Sequence, residues 1–213
     1  SLVVANPKFD LTNKVFNEIS NKTNFGQQRS GVLSNQKWND LLGTAKEGRI
    51  ISKFINADLL MQEKATSLAI QKVNSPKILH IASHSYFIAN EDEKNPLLRS
   101  GIVLAGANNS NLNNSDDGYL TALEITRLNW EGTELVVISG CESGKGESQS
   151  GEGVFGLKRS ISVAGASSSL LSLWKVDDAG TARFMESFYK KLIEGQSKAC
   201  LLYTSDAADD DRS

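Results

Sequence analysis

The chain has 213 residues, of which 39% are hydrophobic, and a formal net charge of −2. These values predict one globular domain that is large enough to bury a core. No apolar stretch approaches the roughly 18 residues that a membrane span requires, so a membrane is not expected as a partner. The balanced charge lacks a basic stripe, which argues against nucleic acid as a partner.

Both ends of the sequence look cut. The first residues, "SLVVANP", begin inside an apolar run without an initiator Met, so a preceding segment and any targeting signal are expected to be missing. The last residues, 200–213 (CLLYTSDAADDDRS), resemble the translation of a transposase-based sequencing adaptor; the alternative is an ordinary acidic tail. We predict that this tail is not native, which leaves Cys141 as the one natural cysteine. A lone thiol rules out an intrachain disulfide and suits a reducing, cytoplasmic compartment.

Short apolar runs predict a parallel sheet that is buried on both faces. The runs are rich in branched residues, and each ends at small or polar residues: residues 2–6 (LVVAN), 77–83 (KILHIAS), 134–139 (ELVVIS) and 168–174 (SSLLSLW). Residues 101–106 (GIVLAG) are interpreted as a shorter or edge strand.

Helical periodicity lies between these runs. It predicts helices at 44–55, 63–73, 120–128, 153–165 and 177–195, the fourth ending at Gly165 and the fifth at Gly195. Alternation of strands and helices predicts an α/β sandwich. In such folds the functional crevice lies outside the carboxyl ends of the strands, so the residues that end each strand are the candidates for chemistry.

A histidine and a cysteine occupy equivalent strand ends. His84 ends the second predicted strand and Cys141 ends the third. If these strands are neighbours, the imidazole can take the thiol proton and later protonate a leaving amine. The small residues Ser139, Gly140, Ser143 and Gly144 would let backbone amides approach a reacting carbonyl, as an oxyanion hole requires. A buried cysteine that serves only as a small hydrophobe is the alternative.

Other candidate sites carry less weight. His80 and His84 are four residues apart, but on a strand this spacing spans about 13 Å, so no zinc site is expected and His80 is interpreted as structural. Residues 151–156 (GEGVFG) match G-x-G-x-x-G without following a strand directly, so no nucleotide cofactor is expected. Asp177 and Asp178 either cap a helix or form an acidic wall that selects a basic substrate group.

The same segments carry a family resemblance. From "ILHIASHS" through "ELVVISGCESGKGE" to "GEGVFGLKRSISVAGASSSLLSLWKVDD", the chain resembles a CHAT domain, a caspase-like cysteine peptidase of bacteria related to separases. The resemblance is dense over residues 77–199, and "SLVVANP" and "TAKEGRIISKF" resemble the first strand and first helix of the family. It implies a caspase–haemoglobinase-like three-layer sandwich with a mostly parallel central sheet. Residues 1–199 would be an incomplete CHAT-like peptidase domain, truncated at both ends.

The resemblance also implies roles for individual residues. The family's catalytic histidine falls on His84 and its nucleophile on Cys141. The resemblance implies that the backbone amide after the histidine helps to bind the oxyanion; the family usually has Gly there, and this chain has Ser85. The family's usual S-A-C becomes Ser139-Gly140-Cys141, which is expected to be a mild change.

Three functions remain open at this stage. The first is a cysteine endopeptidase that cuts a protein substrate, controlled by upstream tetratricopeptide or other regulatory repeats, with Asp177 and Asp178 near its substrate pocket. The second is a catalytically silent CHAT-like interaction module. The third is an α/β domain that binds a small ligand at the same crevice.

Overall fold

The computed structural model describes residues 1–12, 36–88, 95–109, 118–140, 150–172 and 178–196, with backbone only for 150–154, 178 and 179. The strands are β1 (Leu2–Pro7), β2 (Asp58–Gln62), β3 (Ile78–Ala82), β4 (Ser85–Phe87), β5 (Ser100–Val103), β6 (Tyr119–Thr121), β7 (Leu135–Ser139) and β8 (Ser169–Leu171). The helices are α1 (Leu42–Phe54), α2 (Ser67–Gln71), α3 (Ala122–Ile125), α4 (Ser150–Val163) and α5 (Asp178–Ile193). Short 3₁₀ turns occupy Pro96–Leu98 and Ala107–Asn109.

A five-stranded parallel sheet forms the centre of the molecule. Its order is β2-β1-β3-β7-β8, and every pairing is parallel. The strands β1 and β7 are buried along their whole length, as continuous apolar runs predict for a sheet covered on both faces. Because β3 and β7 are neighbours, the residues that follow them emerge side by side at the carboxyl edge.

Helices cover the two faces of this sheet, so the α/β sandwich predicted from the sequence is confirmed. On one face, alternate residues of β1 and β7 pack with α1 and α5 in a cluster that includes Val3, Ala5, Ile51, Val137, Met185 and Phe188. On the other face, the intervening residues pack with α3 and α4 in a cluster that includes Val4, Ile81, Ile125, Val136, Leu157 and Ile161. The alternation follows from the two-residue period of side chains along a strand.

A second, antiparallel sheet lies beyond the carboxyl end of β3. Its order is β4-β5-β6, and β4 begins two residues after β3 ends. Its side chains contribute to a third apolar cluster, which consists of Phe9, Trp38, Tyr86, Ile88, Val103, Ala107 and Tyr119. The main chain between β3 and β4 therefore runs from one sheet directly into the other.

Several sequence predictions need correction. The segment 101–106 does contain a short strand, β5, but this strand lies in the middle of the small antiparallel sheet rather than at an edge. The helix predicted at 63–73 is shorter: α2 begins only after Thr66, whose side chain accepts a hydrogen bond from Ala69 N–H and caps the helix. The sequence does not predict β2, β4 and β6. The strands β4 and β6 have only 3 residues each, too few to show a period, and β2 (DLLMQ) has three apolar residues between polar ends.

Candidate active site

His84 lies at the junction of the two sheets. Ser83 and His84 connect β3 to β4, and the Val103 N–H donates a hydrogen bond of 2.9 Å to the His84 carbonyl. The residue is 8% exposed, so its imidazole is largely enclosed while it stays at the carboxyl edge of the parallel sheet. The structure thus places the histidine where the sequence predicts the functional crevice.

Among the contacts of the imidazole of His84 are a hydrogen bond to a main-chain carbonyl and two aromatic rings. Its Nε2 lies 2.9 Å from the carbonyl oxygen of Asn39. Because a carbonyl can only accept, Nε2 carries the proton, and in the neutral ring the lone pair is on Nδ1. The rings of Phe9 and Trp38 flank the imidazole, each with a centroid distance of 5.3 Å. These contacts restrict the rotation of the ring.

The end of β7 lies directly beside the end of β3. Ala82 pairs with Ser139, and the Ser83 N–H donates to the Ser139 carbonyl at 3.1 Å. A Cβ at Gly140 would overlap the carbonyl oxygen of Ser83. Glycine is therefore required for this close approach, and the change from the family's usual alanine is not the mild one expected from the sequence. Cys141, which follows Gly140 in the chain, lies outside the described residues.

Ser85 presents its backbone amide to the open edge of the small sheet. It pairs with Ile102 on β5, while hydrogen bonds run from the Val103 N–H to His84 and from the Ile88 N–H to Arg99. In an antiparallel ladder this pattern makes Ser85 a non-hydrogen-bonded position, so its N–H points away from β5. β4 is the outer strand of this sheet in the part of the chain that the structure describes, so no described strand pairs with that amide. Ser85 has no positive φ, so serine fits the backbone where the family usually has glycine.

The remaining predicted site residues are not described. Asp177, Ser143 and Gly144 lie outside the described residues, and for Asp178 the structure describes only the backbone, which opens α5. The helix-cap and acidic-wall interpretations of these aspartates therefore stay predictions. In the part of the chain that is described, no group of three His, Cys, Asp or Glu side chains is placed to hold a metal ion.

The second histidine, His80, is buried and hydrogen-bonded to two other buried side chains. Its Nε2 lies 3.1 Å from Glu47 Oε1 and its Nδ1 lies 3.1 Å from the Tyr189 hydroxyl, and all three residues are at most 2% exposed. Burial, and after it the charge of Glu47, raise the pKa of Tyr189 above its ordinary value of 10.0, so its hydroxyl stays protonated. The network connects α1, β3 and α5, which supports the interpretation of His80 as structural.

The residues that hold His84 in place are not predictable from the sequence. The contact from Asn39 is made by a backbone carbonyl, which leaves no signal in the residue type. Phe9 and Trp38 lie far from His84 in sequence, and nothing in their residue types indicates that they pack on a histidine. The partner of the other histidine, His80, is Glu47, which lies inside a predicted amphipathic helix; an acidic residue on the inner face of that helix is the one available signal.

The family model for the CHAT domain matches residues 1–206 of the chain. The chain belongs to the CHAT-domain family. This confirms the resemblance seen in the sequence, and the CHAT family is related to cysteine peptidases. No curated protein matches the chain. Among the described residues of this CHAT domain, none of the helices is both long enough and apolar enough to cross a membrane.

Proposed function

We propose that this CHAT domain is a cysteine endopeptidase that hydrolyses peptide bonds of a protein substrate through Cys141 and His84. The observation that carries the proposal is the placement of His84. Its imidazole is enclosed at the carboxyl end of β3, and its Nε2–H donates to the Asn39 carbonyl. The strand next to β3 is β7, and Cys141 follows β7 in the chain. With Nε2–H donated to the Asn39 carbonyl, Nδ1 is the basic nitrogen of the neutral ring, and we propose it as the proton acceptor for the thiol.

The first half of the proposed reaction forms an acyl-enzyme. His84 Nδ1 takes the proton of the Cys141 thiol, and the thiolate attacks the carbonyl carbon of the scissile peptide bond. The negative charge that develops on the carbonyl oxygen is stabilised by backbone N–H groups, for which we propose the amides of Ser85 and Cys141. When the tetrahedral intermediate collapses, the C–N bond breaks and the imidazolium of His84 gives its proton to the leaving amine.

The second half restores the enzyme. His84 Nδ1 takes a proton from a water molecule, whose oxygen attacks the thioester carbonyl. The C–S bond breaks, the carboxylic acid product leaves and gives its proton to the solvent, and the sulfur recovers its proton from the imidazolium. Throughout both halves the Asn39 carbonyl stays bonded to Nε2–H, and it stabilises the imidazolium each time that form appears.

The proposal extends to specificity. Asp177 and Asp178 follow the fourth predicted strand at the same edge of the sheet, and a carboxylate in a partly desolvated pocket selects an opposite charge. We therefore propose a basic residue on the amino side of the cleaved bond (P1). We also propose that regulatory repeats elsewhere in the full-length protein, of the tetratricopeptide or a similar type, control access to the site.

Cleavage of a fluorogenic peptide library and of a denatured protein mixture tests the proposal. The wild-type protein is expected to cut both, and Cys141→Ala is expected to abolish cutting while the far-UV circular dichroism is unchanged. Cys200→Ala is the matched control, because it removes a thiol that has no role in the proposed mechanism. If the wild type cuts no peptide and forms no adduct with peptidyl ketone probes that capture active-site thiols, the peptidase proposal fails, and a catalytically silent interaction module takes its place.

A further inference from the structure

Two consecutive asparagines of the 3₁₀ turn Ala107–Asn109 bind the main chain in the same way. Asn108 Oδ1 accepts from the Trp38 N–H at 2.8 Å, and Asn108 Nδ2 donates to the Trp38 carbonyl at 3.0 Å. Asn109 Oδ1 accepts from the Leu11 N–H at 2.7 Å, and Asn109 Nδ2 donates to the Leu11 carbonyl at 3.0 Å. Each side-chain amide thus acts like one residue of a neighbouring β-strand, because it binds both the main-chain N–H and the main-chain carbonyl of a single residue.

Trp38 is fixed at three points by these contacts. Besides the two bonds from Asn108, its indole Nε1–H donates to the hydroxyl of Tyr119 on β6 at 2.8 Å. Trp38 is 4% exposed, and Tyr119 is 1% exposed. The backbone of this segment therefore has little freedom, although it lies in no helix or strand.

The residue after Trp38 supplies the carbonyl that binds His84. One peptide unit separates the carbonyl held by Asn108 from the Asn39 carbonyl, which lies 2.9 Å from His84 Nε2. The ring of Trp38 also packs on the imidazole. Asn108 therefore acts on His84 through both neighbours, the carbonyl and the aromatic ring, without touching the imidazole itself.

We propose that Asn108 is a positioning residue of the His84 site. By holding the main chain of Trp38, it places the Asn39 carbonyl on Nε2–H and keeps the imidazole oriented with Nδ1 as the basic nitrogen. The consequence for catalysis rests on the proposed peptidase function, whereas the consequence for the imidazole hydrogen bond does not. Neither the family match nor the sequence pattern assigns a role to Asn108.

Asn109 offers a matched control within the same turn. It makes the same pair of bonds, but to Leu11, which is not part of the Trp38–Asn39 segment that binds His84 Nε2. Asn108→Ala and Asn109→Ala each remove two side-chain bonds to the main chain. Asn108→Ala also removes an exposed bond of 2.9 Å from Asn108 Nδ2 to Asp10 Oδ2, and Asp10→Ala, which removes that bond alone, controls for it. Asn108→Ser, which leaves one short polar group, is the second variant in case the alanine variant fails to fold.

The first measurement is imidazole ¹H–¹⁵N NMR of the whole protein, which contains two histidines. The His80→Gln spectrum assigns the signals. In the wild type the Hε2 proton of His84 is expected to be visible, because its hydrogen bond slows exchange with water. Asn108→Ala is expected to lose that signal and Asn108→Ser to weaken it, while Asn109→Ala keeps it. An unchanged signal in Asn108→Ala, or an equal loss in Asn109→Ala, overturns the proposal.

The second measurement is peptide cleavage. Asn108→Ala is expected to lower kcat by roughly 10- to 100-fold with little change in KM, because the base is misplaced while the substrate pocket is kept. Asn109→Ala is expected to leave kcat near the wild-type value. A change in KM alone, or equal losses in both variants, contradicts the positioning role. If the NMR result holds but no variant and no wild type cleaves anything, the positioning of the imidazole stands and the peptidase function fails.

Discussion

Removal of the Tyr189 hydroxyl is expected to destabilise the protein through a single buried hydrogen bond. In Tyr189→Phe the ring remains, but His80 Nδ1 loses a partner that lies 3.1 Å away in a region where both residues are 0% exposed. A buried polar atom left without a partner costs about 1–3 kcal/mol. For a domain of this size each kcal/mol corresponds to about 2–4 °C, so Tm is expected to fall by roughly 2–12 °C.

The pH dependence of this loss identifies its cause. Burial and the Glu47 carboxylate raise the pKa of Tyr189 in the folded state above the ordinary value of 10.0. The unfolded chain therefore releases this proton first as the pH rises, so the contribution of Tyr189 is constant below pH 10 and declines above it. Each pH unit above 10, until the folded pKa is reached, removes about 1.4 kcal/mol from the wild type and nothing from Tyr189→Phe.

Urea unfolding of both proteins between pH 7 and pH 11 measures this difference. The wild type is expected to be more stable at pH 7, and its advantage is expected to shrink above pH 10. Lysines and other tyrosines titrate equally in both proteins, so the difference isolates Tyr189. A difference below about 0.5 kcal/mol at pH 7, or one that does not change with pH, would refute the buried network between Tyr189, His80 and Glu47.

Three further predictions concern the active site. Gly140→Ala is expected to destabilise the fold by about 1–3 kcal/mol and to lower kcat, because its Cβ meets the Ser83 carbonyl; urea unfolding that matches the wild type would show that the strand ends are not so close. Ser85→Pro removes the backbone N–H of residue 85, which makes no hydrogen bond to β5, and is expected to lower kcat by roughly 100- to 1,000-fold relative to Ser85→Gly. Equal kcat values in the two variants would exclude this N–H from the oxyanion site. Positional peptide profiling is expected to show Arg or Lys at P1, reduced roughly tenfold in Asp177→Asn or Asp178→Asn, whereas a preference for Asp at P1 would contradict the acidic pocket.

The sequence predicts the central layer of this fold well, for a physical reason. The strands β1, β3 and β7 are short, continuous apolar runs, and a sheet covered on both faces requires that pattern. The helices α1, α4 and α5 are long enough for their period to be clear. The outer strands of the antiparallel sheet, β4 and β6, are fixed by their neighbours rather than by their own residues, and so the sequence does not predict them.

The candidate site is predictable only in part, because much of it consists of tertiary contacts. His84 is found from its place at a strand end, and the structure confirms that β3 and β7 are neighbours. Neither the Asn39 carbonyl nor the pair of hydrogen bonds from Asn108 to Trp38 has a signature in the sequence. A main-chain acceptor is present at every residue, and asparagine is common in loops. The roles of Cys141, Asp177 and Asp178 stay predictions.

The most direct test of the Cys141–His84 pair is alkylation by iodoacetamide at pH 6, located by mass spectrometry. An ordinary thiol is only about 0.3% ionised at this pH, and Cys200 serves as the reference within the same chain. A thiolate stabilised by the imidazolium is expected to react roughly tenfold faster, after allowance for its lower intrinsic nucleophilicity. His84→Ala is expected to reduce the ratio of the two rates to about one. If Cys141 reacts no faster than Cys200, or if its advantage survives in His84→Ala, the two residues do not form the proposed catalytic pair.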